Sequence, residues 1–167
     1  LAKTFTHLLD KPPRQVDAML MEGSSIGREG DANDFPDEVG VQARMTEEVR
    51  KAGDSLVLVF SSPQNLDRLI SVYEAAREAG RELVVDYYTV YLLDALRDLK
   101  RAIPSPFGES IRVLYQKRYA DIVRRAYKAP LVDAIRESKH HVAPDEIHAE
   151  PGRFVMFSRK NGLLCDF

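Results

Sequence analysis

The chain has 167 residues, 44% hydrophobic and 30% charged, with a formal net charge of −2. That is enough for one globular core without staples, and it excludes a bulk excess of positive charge, so any polyanion needs a local site. A single cysteine, Cys165, excludes an internal disulfide framework and a cysteine-based zinc site. No run approaches the roughly 18 apolar residues of a membrane span, and with no signal peptide visible a cytoplasmic location is the expectation. Leu1 in place of an initiating methionine and the apolar ending "GLLCDF" point to a segment of a longer protein.

In chain order, five short apolar runs read as strands: "VDAMLME" (16–22), "SLVLVF" (55–60), "ELVVDYY" (82–88), "IRVLYQ" (111–116) and "RFVMFS" (153–158). Their near-continuous hydrophobicity suits strands covered on both faces, as in a parallel sheet. Residues 27–40, acidic and turn-rich, read as a loop before a helix around "VQARMTEEVRKAG". "NLDRLISVYEAAREAG" carries a helical stripe of Leu66, Leu69, Ile70 and Tyr73, with Gly80 as its stop. In "TVYLLDALRDLK", Thr89 can cap and Leu92, Leu96 and Leu99 continue a stripe. Residues 119–150 hold one or two further helices, broken near Ala129-Pro130 and Ala143-Pro144. Strands alternating with helices imply an α/β fold, a three-layer sandwich with a mostly parallel sheet, over one domain of residues 1–167.

Carboxyl ends of strands are where such sheets gather ligands. Glu22 closes the first run and is followed by Gly23, Ser24 and Ser25, which suits either a strand end or the rim of a site. Glycines 23, 27 and 30 lack the dinucleotide spacing and serve as loop formers, and no phosphate-cradling P-loop is present. The second run leads into "SSPQNLDR" (61–68), where Pro63 suits the first helical position and Ser62 the N-cap. The same helix start can hold an anion, with Arg68 one turn in as a charged contact. Asp86 closes the third run as a second cap or as a substrate-positioning acid. His140 and His141 adjoin in a polar helix end and, with His7 and His148, read as surface residues with no metal role.

The ordered set "HLLDKPPRQVDAMLMEGSSIGR" and "LVLVFSSPQNLDRLISVYEAAREAGRELVVDYYTVYLLDAL" resembles the β-CASP domain of metallo-β-lactamase-fold nucleases. That group includes ribonuclease J, the polyadenylation endonuclease and Artemis, and the likeness is nearest to bacterial exonuclease-like metallo-hydrolases. The specific part spans residues 8–95; beyond residue 100 it is architectural. The resemblance makes Glu22 the acid of motif A, with Gly23 departing from the commoner Ser or Thr. It matches Ser61, Ser62, Asn65 and Arg68 to the segment lining the nucleic-acid cleft, and Asp86, Tyr88 and Thr89 to an Asp-x-Tyr-Thr turn.

The family's His-x-His-x-Asp-His zinc motif is absent, as are its later motif histidines. The resemblance therefore implies a substrate-gripping segment, inactive alone, whose first 22 residues border a missing metallo-β-lactamase domain of the same chain. Two zinc ions in that parent would activate a water for phosphodiester hydrolysis, RNA being the expected substrate, with Glu22 orienting a metal-bound histidine. The segment itself would hold no metal. The alternatives are a stand-alone Rossmann-like module for a nucleotide or sugar phosphate, and a protein-interaction domain.

Overall fold

Short apolar stretches alternating with amphipathic ones build a layered structure. A computed structural model describes residues 2–18, 37–98, 103–126 and 129–159, and the chain divides into two compact units, Leu1–Phe35 and Pro36–Phe167. The described part of the first unit is helix α1 (Ala2–Asp10) and an irregular stretch in which Gln15 takes φ 62°. Residues 16–18 of the expected first strand are not strand, and the rest of that run, Glu22 included, lies outside the described residues.

The second unit runs α2 (Glu38–Lys51), β1 (Val57–Phe60), α3 (Leu66–Glu78), β2 (Glu82–Val85), α4 (Tyr87–Leu96), β3 (Ile111–Leu114) and α5 (Lys117–Ala126). It continues through α6 (Ala129–Glu137), β4 (His141–Val142), α7 (Pro144–Ala149), a 3-10 turn (Pro151–Arg153) and β5 (Phe154–Ser158). All pairings in its five-stranded sheet are parallel, in the order β1-β5-β2-β3-β4. This is the α/β sandwich with a parallel sheet that the alternation of runs implies.

Register fixes which side chains meet. Val57, Val155, Leu83 and Ile111 are successive partners, so they share one face. That face is covered by Val49 of α2, Leu69 and Val72 of α3, Val90 and Leu93 of α4, Ala120 of α5 and Ile135 of α6. Burying each large apolar side chain there contributes about 1.5–3 kcal/mol. Val84 and Met156 share the opposite face with Phe154 and Val142, beneath Ile147 of α7. The connection β4–α7–β5 runs back along the sheet, and a right-handed crossover in that direction lands on the other face. Edge strand β1 is less covered, with Leu58 46% and Phe60 58% exposed.

Several boundaries differ from the sequence reading. Helix α2 starts at Glu38, inside the expected loop, because Asp37 accepts a hydrogen bond from Gly40 N (2.8 Å). The buried stripe of α3 is Leu69, Val72, Ala75 and Ala76, while Leu66, Ile70 and Tyr73 are only half-buried at its flank. In α4 the buried apolar residues are Tyr87, Val90 and Leu93. Pro130 and Pro144 sit in the first turns of α6 and α7, where proline's fixed φ is suited. The histidine pair marks the entry to β4 instead of a helix end: His141 opens the strand, and His140, in the turn before it, is buried, 7% exposed, with Nδ1 3.2 Å from Ile111 O and its ring edge-on to Phe107. His141 is exposed.

The amino edge of the sheet is held by one buried cation. Arg81, at the entry to β2, is 7% exposed. It donates to Val49 O (2.9 Å), Gly53 O (2.5 Å) and Ser55 O (2.8 Å). It thus caps the last turn of α2, where positive charge is favoured. Gly152 packs against the same turn: a Cβ there would stand 2.7 Å from Asp54 Cα, so only glycine fits. Replacing Arg81 by Met keeps the alkyl stem and leaves three carbonyls without their donor. Urea unfolding of Arg81→Met should show a loss of about 3 kcal/mol; a loss below about 0.5 kcal/mol, the size of an ordinary surface change, would remove Arg81 from this role.

Candidate functional site

Because the strands are parallel, the residues that follow β1, β5 and β2 emerge at one edge. Ser61 N donates to Ser158 O (3.1 Å), tying the exits of β1 and β5 together. Asp86 leaves β2 one strand further on and works in two directions. Its Oδ1 accepts from Thr89 N (2.8 Å) and Thr89 Oγ1 (2.6 Å), which makes Asp86, and not Thr89, the N-cap of α4. Its Oδ2 accepts from Arg159 Nε (2.8 Å) and Nη2 (2.6 Å). The Arg159 guanidinium also lies 4.5 Å from the centre of the Tyr88 ring, a cation–π contact. Gln64 Nε2 reaches the Tyr88 hydroxyl at 3.3 Å, joining the β1 turn to the same cluster.

The turn after β1 departs from the expected cap. Asn65, not Ser62, is the N-cap of α3, its Oδ1 accepting from Arg68 N (3.1 Å). Ser62 Oγ accepts from Gln64 N (3.3 Å), and Ser62 O accepts from Asn65 N (3.0 Å). Residues 61–65 therefore form a tight turn before the helix, with Pro63 buried and Ser62 exposed. Asn65 takes the cap because it directly precedes Leu66, the first helical residue, whereas Ser62 lies three residues earlier inside the turn.

Arg68 turns to α2. Its Nε and Nη2 donate to Glu38 Oε2 (3.3 Å) and Oε1 (3.1 Å), while Ser71 Oγ lies 3.1 Å from Oε2. These hydrogen bonds, that from Arg68 foremost, hold the Glu38 carboxyl below the usual carboxylate range against the smaller cost of its burial. An anion at Arg68 would have to displace this carboxylate. Arg68 also borders an apolar groove of about 500 Å³ lined by Val41, Met45, Val57, Leu58 and Phe60. Ser61, Ser62 and Asp86 thus share one edge with Tyr88 and Arg159, and Asn65 and Arg68 serve the α3 start and the α2–α3 contact.

Arg159 went unnoticed in the sequence, although it follows the β5 run directly, as Ser61 and Asp86 follow theirs. Tyr87, the neighbour of the capping acid, is buried, and burial pushes its phenol well above its ordinary value. Its ring meets Tyr115 edge-on at 6.5 Å. Among the described residues no three His, Cys, Asp or Glu side chains are grouped to hold a metal ion, and no helix is long and apolar enough to cross a membrane. Glu22 and Cys165 lie outside the described residues. No protein family, curated protein or solved structure matches the chain.

The two roles of Asp86 can be separated. Asparagine retains an oxygen for the Thr89 amide but loses the charge that attracts Arg159; alanine loses both. With side chains 26% and 21% exposed, the ion pair is partly shielded from solvent. Asp86→Asn should lower stability by about 1 kcal/mol, and Asp86→Ala by about 1 kcal/mol more through loss of the cap. Equal losses in urea unfolding would mean that the cap contributes nothing.

Proposed function

We propose that this chain is the nucleic-acid-gripping β-CASP segment of a zinc-dependent metallo-β-lactamase-fold nuclease that hydrolyses phosphodiester bonds, with single-stranded RNA as its substrate. The motif resemblance across residues 8–95 supports the family. The observation that carries the site is the convergence of Ser61, Ser62, Gln64, Asp86, Tyr88 and Arg159 at the carboxyl edge of β1, β5 and β2. Ligands of open α/β sheets bind at this edge.

In this reading the exposed Ser62 and Gln64 meet the RNA backbone with a hydroxyl and a side-chain amide, as positioning contacts to phosphate do. Asp86 holds Arg159 and the Tyr88 ring in place beside them. Asn65 and Arg68 act one step back, by fixing the start of α3. The resemblance assigns the metal chemistry to a metallo-β-lactamase domain outside this segment. The segment supplies grip and orientation only.

The test is fluorescence anisotropy with labelled oligouridylates of increasing length. Affinity should rise with length, and Ser62→Asp, which sets a carboxylate where a phosphate would lie, should weaken binding about tenfold, or 1.4 kcal/mol. Binding unchanged in Ser62→Asp, or a mononucleotide that binds as well as the oligomer, would contradict the reading.

A further inference from the structure

Arg159, at the Ser61–Asp86 edge, is matched by Asp86, and Arg68, at the start of α3, is matched by Glu38. The candidate edge is therefore electrically balanced and has little reach toward a polyanion. The attraction must come from elsewhere on the molecule.

The sequence places that charge unevenly. Residues 97–139 hold eleven Lys and Arg against five Asp and Glu, leaving thirteen against twenty-one in the rest of the chain. Residues 37–86, which form α2, β1, α3 and β2, hold ten acids against six bases. A net charge of −2 thus conceals an acidic stretch over residues 37–86 and a basic stretch over residues 97–139.

Helix α5 concentrates the basic stretch. Lys117, Arg124 and Arg125 are exposed and fall within about 100° of one another around the helix. Ala120, about 40° from Arg124 around the helix, is buried against the core and marks the inner border of this arc. Asp121 is the one acid between residues 117 and 128. Arg124 is shared with Asp133 of α6 (3.1 Å), which leaves Lys117 and Arg125 as the side chains to test. The helix begins at Lys117, just past the carboxyl end of β3. Strand β3 is the neighbour of β2, about 4.8 Å away, so α5 starts one strand from Asp86.

We infer that the exposed face of α5 is a second contact surface for the phosphate backbone of single-stranded nucleic acid, continuing the path from the Ser61–Asp86 edge. It rests on the proposed nucleic-acid function and gives that function its source of attraction. Lys117 and Arg125, by neutralising phosphates along the strand, release the salt cations condensed on the nucleic acid. Ile122, 52% exposed, is the single large apolar side chain on this face among the described residues of α5. One such residue gives an amphipathic helix little to bury in a bilayer.

The experiment compares the wild-type chain with Lys117→Gln/Arg125→Gln, Asp121→Asn and Ser62→Asp, using labelled oligouridylate at several salt concentrations and, in parallel, phosphatidylserine vesicles. The double variant should bind about tenfold more weakly at low salt, and its slope of log affinity on log salt should be shallower by about 1.4, two single-strand phosphate contacts. Asp121→Asn, which cannot fail through loss of a cation, should bind about twofold to threefold more tightly. Loss of affinity in Ser62→Asp with none in the double variant would overturn the α5 surface and keep the edge site. The reverse pattern would keep the α5 surface and overturn the edge site. Binding to the vesicles without binding to oligouridylate would overturn both.

Discussion

Asp86 has two carboxylate oxygens and divides them between a helix and a distant strand. Oδ1 closes the first turn of α4 through the Thr89 amide and hydroxyl, and Oδ2 takes Nε and Nη2 of Arg159, 73 residues later in the chain. The cap sets the angle at which α4 leaves β2, and the ion pair sets where the chain leaves β5. Tyr88 and Gln64 are then placed by Arg159 and by the turn after β1. The carboxyl edge is thereby organised by a few polar bonds, whereas the amino edge is closed by Arg81 and the close approach at Gly152.

This division has an electrostatic consequence. The arginines nearest the Ser61–Asp86 edge are neutralised internally, which orders the loops but removes net charge from them. A partner recognised there would be positioned by hydroxyls, amides and an aromatic ring more than by attraction. Long-range attraction would then fall to exposed cations such as Lys117 and Arg125 of α5, where water and salt screen the charges.

Much of the fold was legible because burial imposes strong patterns. Strands β2 and β5 are covered on both faces and read as continuous apolar runs. Asp86 and Ser61 were found as site candidates from the rule that chain leaving a parallel strand emerges at one edge, and Arg159 obeys the same rule. What escaped has physical reasons. Strand β4 is two residues long, His141–Val142, too short for any period to show, and a histidine inside it looks like a surface residue until Ile111 O and Phe107 surround its neighbour. The cap of α3 went to Asn65 because two candidate caps lay within four residues and only tertiary geometry chooses between them. The Arg68–Glu38 pair joins residues 30 apart in sequence, a contact for which the sequence carries no periodic signal.

Backbone chemical-shift mapping of the isotope-labelled chain, titrated with a short oligouridylate, tests most directly whether the carboxyl edge is the nucleic-acid contact. The largest shifts are expected at Ser61, Ser62 and Gln64, at Tyr88 and Thr89, and at Arg159, with smaller ones along α5. Shifts confined to the β1 groove around Val41, Met45 and Leu58, or none anywhere at saturating oligonucleotide, would contradict it.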